Sequence, residues 1–148
     1  MPTPYESAQL ILKLYELRRE PVMRAARHWF TREFHPETAA DVQAALGSEH
    51  NPQFRMVIGY WEMAASFVAS GALDRGLFLD NCGEAIATFS KIQPFLAEIR
   101  RSYTPTLAQR LESVLMAEPG MEERLEAMRK RLRGAAKLPP PAVMATSA

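Results

Sequence analysis

The chain is poor in cysteine, and this limits both its chemistry and its setting. Its 148 residues include a single cysteine, Cys82. One thiol excludes an internal disulfide and a cysteine-rich zinc site, and the first residues lack the basic-then-apolar pattern of a signal peptide. We therefore expect a cytoplasmic protein. Cys82 is predicted to be a structural thiol, because it lies on an apolar helix face with no base nearby in sequence.

An excess of one charge sign is also missing. Eighteen lysines and arginines face seventeen acids, for a formal net charge of +1. Such a balance gives no long-range field that would draw the whole molecule to nucleic acid or to an anionic membrane. The longest apolar stretch, residues 57–69, contains Glu62 and falls short of the ~20 residues that a membrane span needs. We expect no membrane partner.

The sequence also lacks the motifs of several enzyme classes. It has no glycine-rich phosphate loop, no Gly-x-Ser-x-Gly elbow and no two-histidine metal motif. His28 and His35 are seven residues apart, about 10 Å along a helix, so they cannot share one ion on a straight helix. We expect neither a metal nor a cofactor, and we favour a non-enzymatic protein.

What the sequence does contain is helical periodicity. Apolar residues recur at spacings of three and four, and no window alternates apolar with polar residues as a strand would. The pattern predicts an all-α fold, a compact bundle of six or seven helices around a central apolar helix at about 52–70. Residues 1–134 should form one domain, followed by a flexible tail rich in proline and alanine at 135–148.

Local signals predict several helix ends. Thr3 and Glu6 form a capping box around a proline at the first helical position, and Thr104-Pro105 repeats that signature. Gly71 should end the central helix in the left-handed conformation, and Asp74 should begin the next one.

The first helix has a wider apolar face than one core contact requires. Its apolar residues cover an arc of about 240°, compared with the ~100° stripe of a helix that packs on one side. The C-terminal pair of amphipathic helices adds further apolar surface. We therefore expect self-association, with a homodimer as the simplest form. The residues on the first helix are Tyr5, Ala8, Leu10, Ile11, Leu12, Leu14, Tyr15 and Leu17.

Glu62 is an acid inside the predicted central helix, where a bare charge would be costly to bury. One hypothesis is a buried ion pair with an arginine. A second is a position at the wet edge of the helix, and a third is a general base or ligand in a pocket walled by aromatic neighbours. The residues concerned are Arg24, Arg27 and Arg55 as donors, with Tyr60 and Trp61 as the walls.

Glu20 and Arg24, four residues apart, could also bridge the joint at Pro21.

Two glycines suggest a helix crossing. Gly59 and Gly83 lie within predicted helices, where glycine costs about 1 kcal/mol relative to alanine. Because glycine lets two backbones approach closely, we predict that these helices cross at the two glycines.

A basic cluster marks the last helix. Three acids precede it, namely Glu122, Glu123 and Glu126, so the pattern fits an exposed helix whose charges complement its dipole. Weak nucleic-acid binding through this helix remains an alternative. The cluster is Arg124, Arg129, Lys130, Arg131, Arg133 and Lys137.

Two segments resemble a known family. The stretches GYWEMAASFVASGALD, Gly59 to Asp74, and ATFSKIQPFLAEIR, Ala87 to Arg100, are similar to parts of an uncharacterised bacterial family of small all-helical proteins. The resemblance extends over about residues 5–133 and implies a compact helical domain. That family has no assigned activity, so the resemblance implies no functional residue here.

Our leading hypothesis is a non-enzymatic cytoplasmic interaction or scaffold protein that forms a homodimer. The alternative is a small-molecule-binding protein or enzyme with a pocket around Glu62, Tyr60 and Trp61. The second alternative is nucleic-acid binding through the C-terminal basic helix.

Overall fold

Helices joined by short turns make up the part of the chain that the structure describes. The structure is a computed structural model, and it describes residues 1–139. Within that range there is no β-strand, which confirms the predicted all-α bundle. The helices are α1 (Pro4–Arg18), α2 (Pro21–His28), α3 (Ala39–Leu46), α4 (Asn51–Ala69), α5 (Arg75–Asn81), α6 (Gly83–Ile92), α7 (Leu96–Ser102), α8 (Gln109–Met116) and α9 (Met121–Ala136).

The chain is divided into more helical segments than the six or seven expected. The segment that follows Asp74 is interrupted at Cys82, whose φ of −119° and ψ of 47° leave the helical region. A 3-10 turn at Gln93–Phe95 then separates α6 from α7 at Pro94. Of these two breaks, only the one at Gln93–Phe95 contains a proline from which it could be predicted.

The helix ends predicted at Thr3, Gly71 and Asp74 are confirmed. The hydroxyl of Thr3 accepts from the amide of Glu6 at 3.1 Å, and the Glu6 carboxylate accepts from the amide of Thr3 at 2.8 Å. The carboxylate of Asp74 accepts from the amide of Leu77 at 2.8 Å. Gly71 has a φ of +81°, which is the left-handed conformation that glycine adopts without strain.

The central position of α4 is confirmed as well. This helix contacts α2, α3, α6 and α8, so it is surrounded on several sides. Its aromatic side chains Phe54 and Trp61 are fully buried, together with Phe30, Phe78 and Phe89 from neighbouring segments. These large apolar side chains form one continuous core around α4.

The predicted crossing at Gly59 and Gly83 is wrong. Both glycines are exposed, and a Cβ atom built on either would meet no atom within 4 Å. The buried neighbours of Gly59, which are Ile58 and Tyr60, occupy the inward-facing positions of α4. Large side chains, not glycines, therefore form the helix contacts.

The C-terminal helix extends slightly past the expected domain boundary. The helices α8 and α9 contact each other, as their apolar stripes predicted, and α9 ends at Ala136 instead of Gly134. Residues 140–148 of the predicted tail lie outside the described residues. Within residues 1–139, no helix is both long and apolar enough to span a bilayer.

A buried lysine holds the end of α2. After His28 the chain continues through a π-helical turn, Trp29–Glu33. Lys91 of α6 is 5% exposed, and its Nζ donates to three carbonyl oxygens of this region, those of Phe30 (2.6 Å), Thr31 (2.8 Å) and Phe34 (2.7 Å). Burial lowers the pKa of Lys91 to about 7. The three carbonyls act against that shift, because each accepts more strongly from an ammonium than from a neutral amine.

We expect Lys91→Met to lower the free energy of unfolding by about 2–4 kcal/mol, because three buried carbonyls would lose their donor. Lys130→Met is the matched control. Its ammonium is exposed and pairs only with Glu126 on the surface, so the expected change is within about 0.5 kcal/mol. Chemical denaturation of both variants measures the difference. Equal, small losses would show that the three hydrogen bonds do not hold this turn.

Candidate functional site

Glu62 binds backbone amides instead of a guanidinium. Its Oε1 accepts from the amide of Arg110 at 2.7 Å, and its Oε2 accepts from the amide of Leu111 at 2.9 Å. These are among the first amides of α8, which have no partner inside their own helix. The Glu62 carboxylate therefore caps α8 from a distance of 48 residues in sequence.

This contact corrects two predictions. The predicted ion pair of Glu62 is absent from residues 1–139, where Arg24 and Arg55 are exposed and Arg27 pairs elsewhere. The helix predicted to start at Thr104-Pro105 begins only at Gln109, after a turn in which Ala108 has a φ of +53°. The physical reason is the same in both cases. The anion is stabilised by the N-terminal end of a helix dipole, and it fixes where that helix starts.

The predicted pocket around Glu62 is also not assembled as expected. A depression of about 200 Å³ borders Glu62, but both carboxylate oxygens are already occupied by amides. Tyr60 and Trp61 are buried on the other side of α4, where the Tyr60 hydroxyl donates to the carbonyl of Leu14. Burial raises the pKa of Tyr60 to about 12, so it stays neutral.

Trp61 instead supports an arginine that the sequence analysis did not single out. Arg18, at the end of α1, is 9% exposed, and its guanidinium carbon lies 5.2 Å from the Trp61 ring and 5.6 Å from the Tyr15 ring. Among residues 1–139 no carboxylate pairs with it. The nearby thiol of Cys82 is buried, which raises its pKa and leaves it uncharged. Arg18 is thus a buried cation without an anion.

Arg27 has the carboxylate that Arg18 lacks. Its Nε and Nη2 donate to the two oxygens of Glu84 on α6, at 2.8 and 2.6 Å, and its Nη1 donates to the carbonyl of Arg18 at 2.9 Å. The pair with Glu84 raises the pKa of Arg27 above its usual value. The bidentate contact joins α2 to α6, and the bond to the Arg18 carbonyl adds α1.

Three adjoining cavities along these helices form a single groove. Their volumes are about 590, 420 and 590 Å³, and they share lining residues such as Glu84, Arg27 and Thr31. Seven arginines line this groove, and Glu84 is its one carboxylate within the described chain. We call it the arginine groove. Its arginines are Arg18, Arg19, Arg24, Arg27, Arg32, Arg124 and Arg131.

An acid next to the groove, Glu20, is occupied by the backbone. Glu20, which could have bridged to Arg24, caps α2 instead and accepts from the amides of Val22 at 3.1 Å and Met23 at 2.9 Å. In the described residues Arg24 forms no ion pair. The groove is therefore strongly cationic although the whole chain is nearly neutral.

The two ends of the groove differ in character. The end between α6 and α9 has a floor of small and aliphatic side chains, with Arg124 and Arg131 beside it; the floor residues are Ala87, Ala127, Met128 and Leu132. The end at α1 and α2 is polar and contains Tyr15, Arg18, Arg19 and Arg24. A ligand that fills the groove would need both apolar and negatively charged groups.

The basic cluster of α9 is divided between two roles. Arg129 donates to the carbonyl of Ser90 at 3.0 Å, and Arg133 donates to the carbonyl of Pro36 at 3.1 Å, so both fasten α9 to the bundle. Lys130 pairs with Glu126 on the surface. Arg124 and Arg131 line the groove.

The three histidines have different surroundings. His50 stacks on Trp29 with ring centroids 4.6 Å apart, and His35 is half-buried, with its pKa lowered by burial. Exposed His28 lines the groove. In the described part of the chain, no three histidine, cysteine or acidic side chains are grouped as metal ligands would be.

The family model described as "Domain of unknown function (DUF4760)" matches residues 5–116. The chain belongs to this family. The match runs from α1 to the end of α8, so it contains Arg18, Arg27 and Glu84 but not the groove residues of α9. No curated protein and no solved structure matches the chain.

The arginine groove could not be found from local sequence patterns. Arg27 and Glu84 are 57 residues apart, and the α9 arginines come from a further segment. The available signal was the density of arginines at 18–32. Glu16 and Glu20 are the only acids that lie three or four residues from any of these arginines in the sequence.

We expect Glu62→Ala to lower the free energy of unfolding by about 1–2 kcal/mol, because α8 would lose its cap. Glu62→Gln keeps one acceptor oxygen and should lose less. Asp80→Ala, at an exposed acid that forms no hydrogen bond or ion pair in residues 1–139, is the control and should change stability by less than about 0.5 kcal/mol. Denaturant unfolding compares the three variants. A loss for Glu62→Ala no larger than that for Asp80→Ala would contradict the capping role.

Proposed function

We propose that this protein is a non-enzymatic interaction protein that binds an acidic segment of a partner protein in the arginine groove. The observation that supports the proposal is the separation of charge. The groove contains seven of the eighteen basic side chains but one of the seventeen acids, and that acid is already paired with Arg27. A cationic cleft concentrates anionic partners and raises their association rate.

The lining favours a protein segment over a nucleic acid. Single-stranded nucleic acid is bound by stacking its bases on exposed aromatic rings. The floor between α6 and α9 offers Ala87, Ala127, Met128 and Leu132 instead. Within the described chain no phenylalanine or tryptophan lines the groove, and its aromatic rings are those of Tyr15 and His28. A partner segment in which aliphatic residues alternate with glutamate or aspartate would match the groove. Its aliphatic side chains would pack on the floor, and its carboxylates would reach the arginines beside the floor.

Arginine suits this role better than lysine would. Its planar guanidinium binds carboxylates with two parallel hydrogen bonds, and the groove contains arginines and no lysine in its described lining. The Arg27–Glu84 pair shows this geometry within the chain itself. We further propose that the protein is bacterial and cytoplasmic. The free thiol of Cys82 supports the reducing compartment.

We also propose that the protein self-associates through the outer face of α1. Tyr5 and Leu12 fall on one side of this helix and are 72% and 56% exposed. The adjoining Lys13 and Glu16 have opposite signs, so an antiparallel second copy would place unlike charges opposite each other.

The groove proposal is tested with a fluorescent peptide of about ten residues in which glutamate alternates with leucine and alanine. We expect binding that weakens as salt rises, because the contacts are charged. Arg24→Glu and Arg131→Glu, at opposite ends of the groove, should each reduce affinity by about tenfold or more.

Arg55→Glu and Arg101→Glu make the same charge change at exposed sites outside the groove and serve as controls. Their expected loss of affinity is less than about threefold. Equal losses in all four variants, or no binding at low salt, would refute the proposal. Tighter binding of an oligothymidylate of the same length, with the same dependence on Arg24 and Arg131, would replace the acidic segment by a nucleic acid.

The dimer proposal is tested by size-exclusion chromatography with light scattering. We expect a dimer at tens of micromolar and a monomer for Leu12→Glu, because a buried unpaired charge would disrupt the shared face. Glu123→Lys, on exposed α9, controls for a change of surface charge. A wild-type monomer at those concentrations would overturn the proposal.

A further inference from the structure

Arg18 is the least exposed cation of the arginine groove, and its environment indicates what it binds. The side chain is 9% exposed, rests on the rings of Trp61 and Tyr15, and lines the cavity of about 590 Å³ at the α1–α2 end. A guanidinium this far removed from water is normally balanced by an anion. Within residues 1–139 its side chain pairs with no carboxylate and donates to no oxygen acceptor, and its hydrogen-bond neighbour is the Cys82 thiol, which is not an anion. The anion is therefore expected from outside the chain.

The cavity around Arg18 contains more than one uncompensated positive charge. The Glu84 carboxylate neutralises Arg27, which leaves Arg18, Arg19 and Arg24 without a carboxylate partner in the described residues. Arg18 and Arg19 both lie against Tyr15, with guanidinium carbons 5.6 and 5.8 Å from the ring centroid. Glu20 is held by the amides of α2. Three guanidinium groups without a carboxylate partner in the described residues thus border one cavity.

A phosphate monoester balances this arrangement better than a single carboxylate. It carries a charge of about −1.5 to −2 at neutral pH and offers three strong acceptor oxygens, whereas a carboxylate carries one negative charge on two oxygens. Three guanidinium groups can each donate to a different phosphate oxygen. The cavity of about 590 Å³ has room for a phosphate group together with neighbouring residues of the segment that carries it.

We propose that Arg18, Arg19 and Arg24 form a subsite for a phosphate monoester, and that the acidic partner segment carries a phosphorylated serine or threonine there. This inference rests on the proposed function, and it makes binding at this end of the groove dependent on phosphorylation. Arg18 anchors the phosphate because its orientation is already fixed by Trp61. Exposed Arg19 and Arg24 close over the phosphate from the rim.

The test compares two peptides that differ only in whether one terminal serine is phosphorylated. The wild-type protein should bind the phosphopeptide at least about tenfold more tightly than the unphosphorylated peptide, which corresponds to about 1.4 kcal/mol. Arg19→Gln and Arg24→Gln should reduce the ratio of the two affinities, phosphopeptide over unphosphorylated peptide, to about threefold or less. Arg131→Gln, at the other end of the groove, should weaken both peptides equally and leave the ratio unchanged.

If the Arg18→Gln variant folds, it should bind the two peptides with about equal affinity. If it does not fold, the exposed Arg19 and Arg24 variants decide the question. Equal wild-type affinity for the two peptides would overturn the phosphate subsite while leaving the acidic-segment proposal intact. Failure of both peptides to bind would overturn both proposals. Free phosphoserine that binds as tightly as the phosphopeptide would keep the subsite but assign it to a small phosphorylated ligand.

Discussion

The contact between Arg27 and Glu84 is the constraint on which the site depends. One guanidinium binds both carboxylate oxygens of Glu84 on α6 and the carbonyl of Arg18 at the end of α1. Three helices are fixed relative to one another by a single side chain on α2. Within the described residues the contact also occupies the one acid of the groove, so it both shapes the cavity and leaves the other groove arginines without a carboxylate partner.

A common use of acids explains why a nearly neutral chain has a strongly cationic groove. Carboxylates at several helix starts accept from backbone amides and are stabilised by the helix dipole. The acids used in this way are Glu6, Glu20, Asp41, Glu62 and Asp74. Glu20 is the clearest case, because it caps α2 instead of pairing with Arg24 four residues later. Because these carboxylates bind backbone amides, they do not pair with the groove arginines. The groove therefore keeps a positive charge that an external anion can neutralise.

The parts of the structure that were predictable from sequence are those whose physical cause is local. The capping box at Thr3, the left-handed end at Gly71 and the start at Asp74 each depend on residues within one helical turn. The start of α8 depends instead on Glu62, and the end of α2 depends on Lys91, which bonds to carbonyls about 60 residues away. The ion-pair interpretation of Glu62 failed because a guanidinium was considered as its partner and a helix N-terminus was not. Arg24 and Arg27 were identified as candidate residues, but the groove they share with α9 arises only from packing.

The most direct test of the arginine groove observes each guanidinium group by NMR. The Nε–Hε resonances of the arginines are recorded while the acidic peptide is added. We predict saturable shifts for Arg18, Arg19 and Arg24 and for the α9 residues Arg124 and Arg131, with little change at Arg55 and Arg101. Shifts confined to arginines outside the groove, or no shifts at peptide concentrations that produce binding, would contradict this assignment of the site.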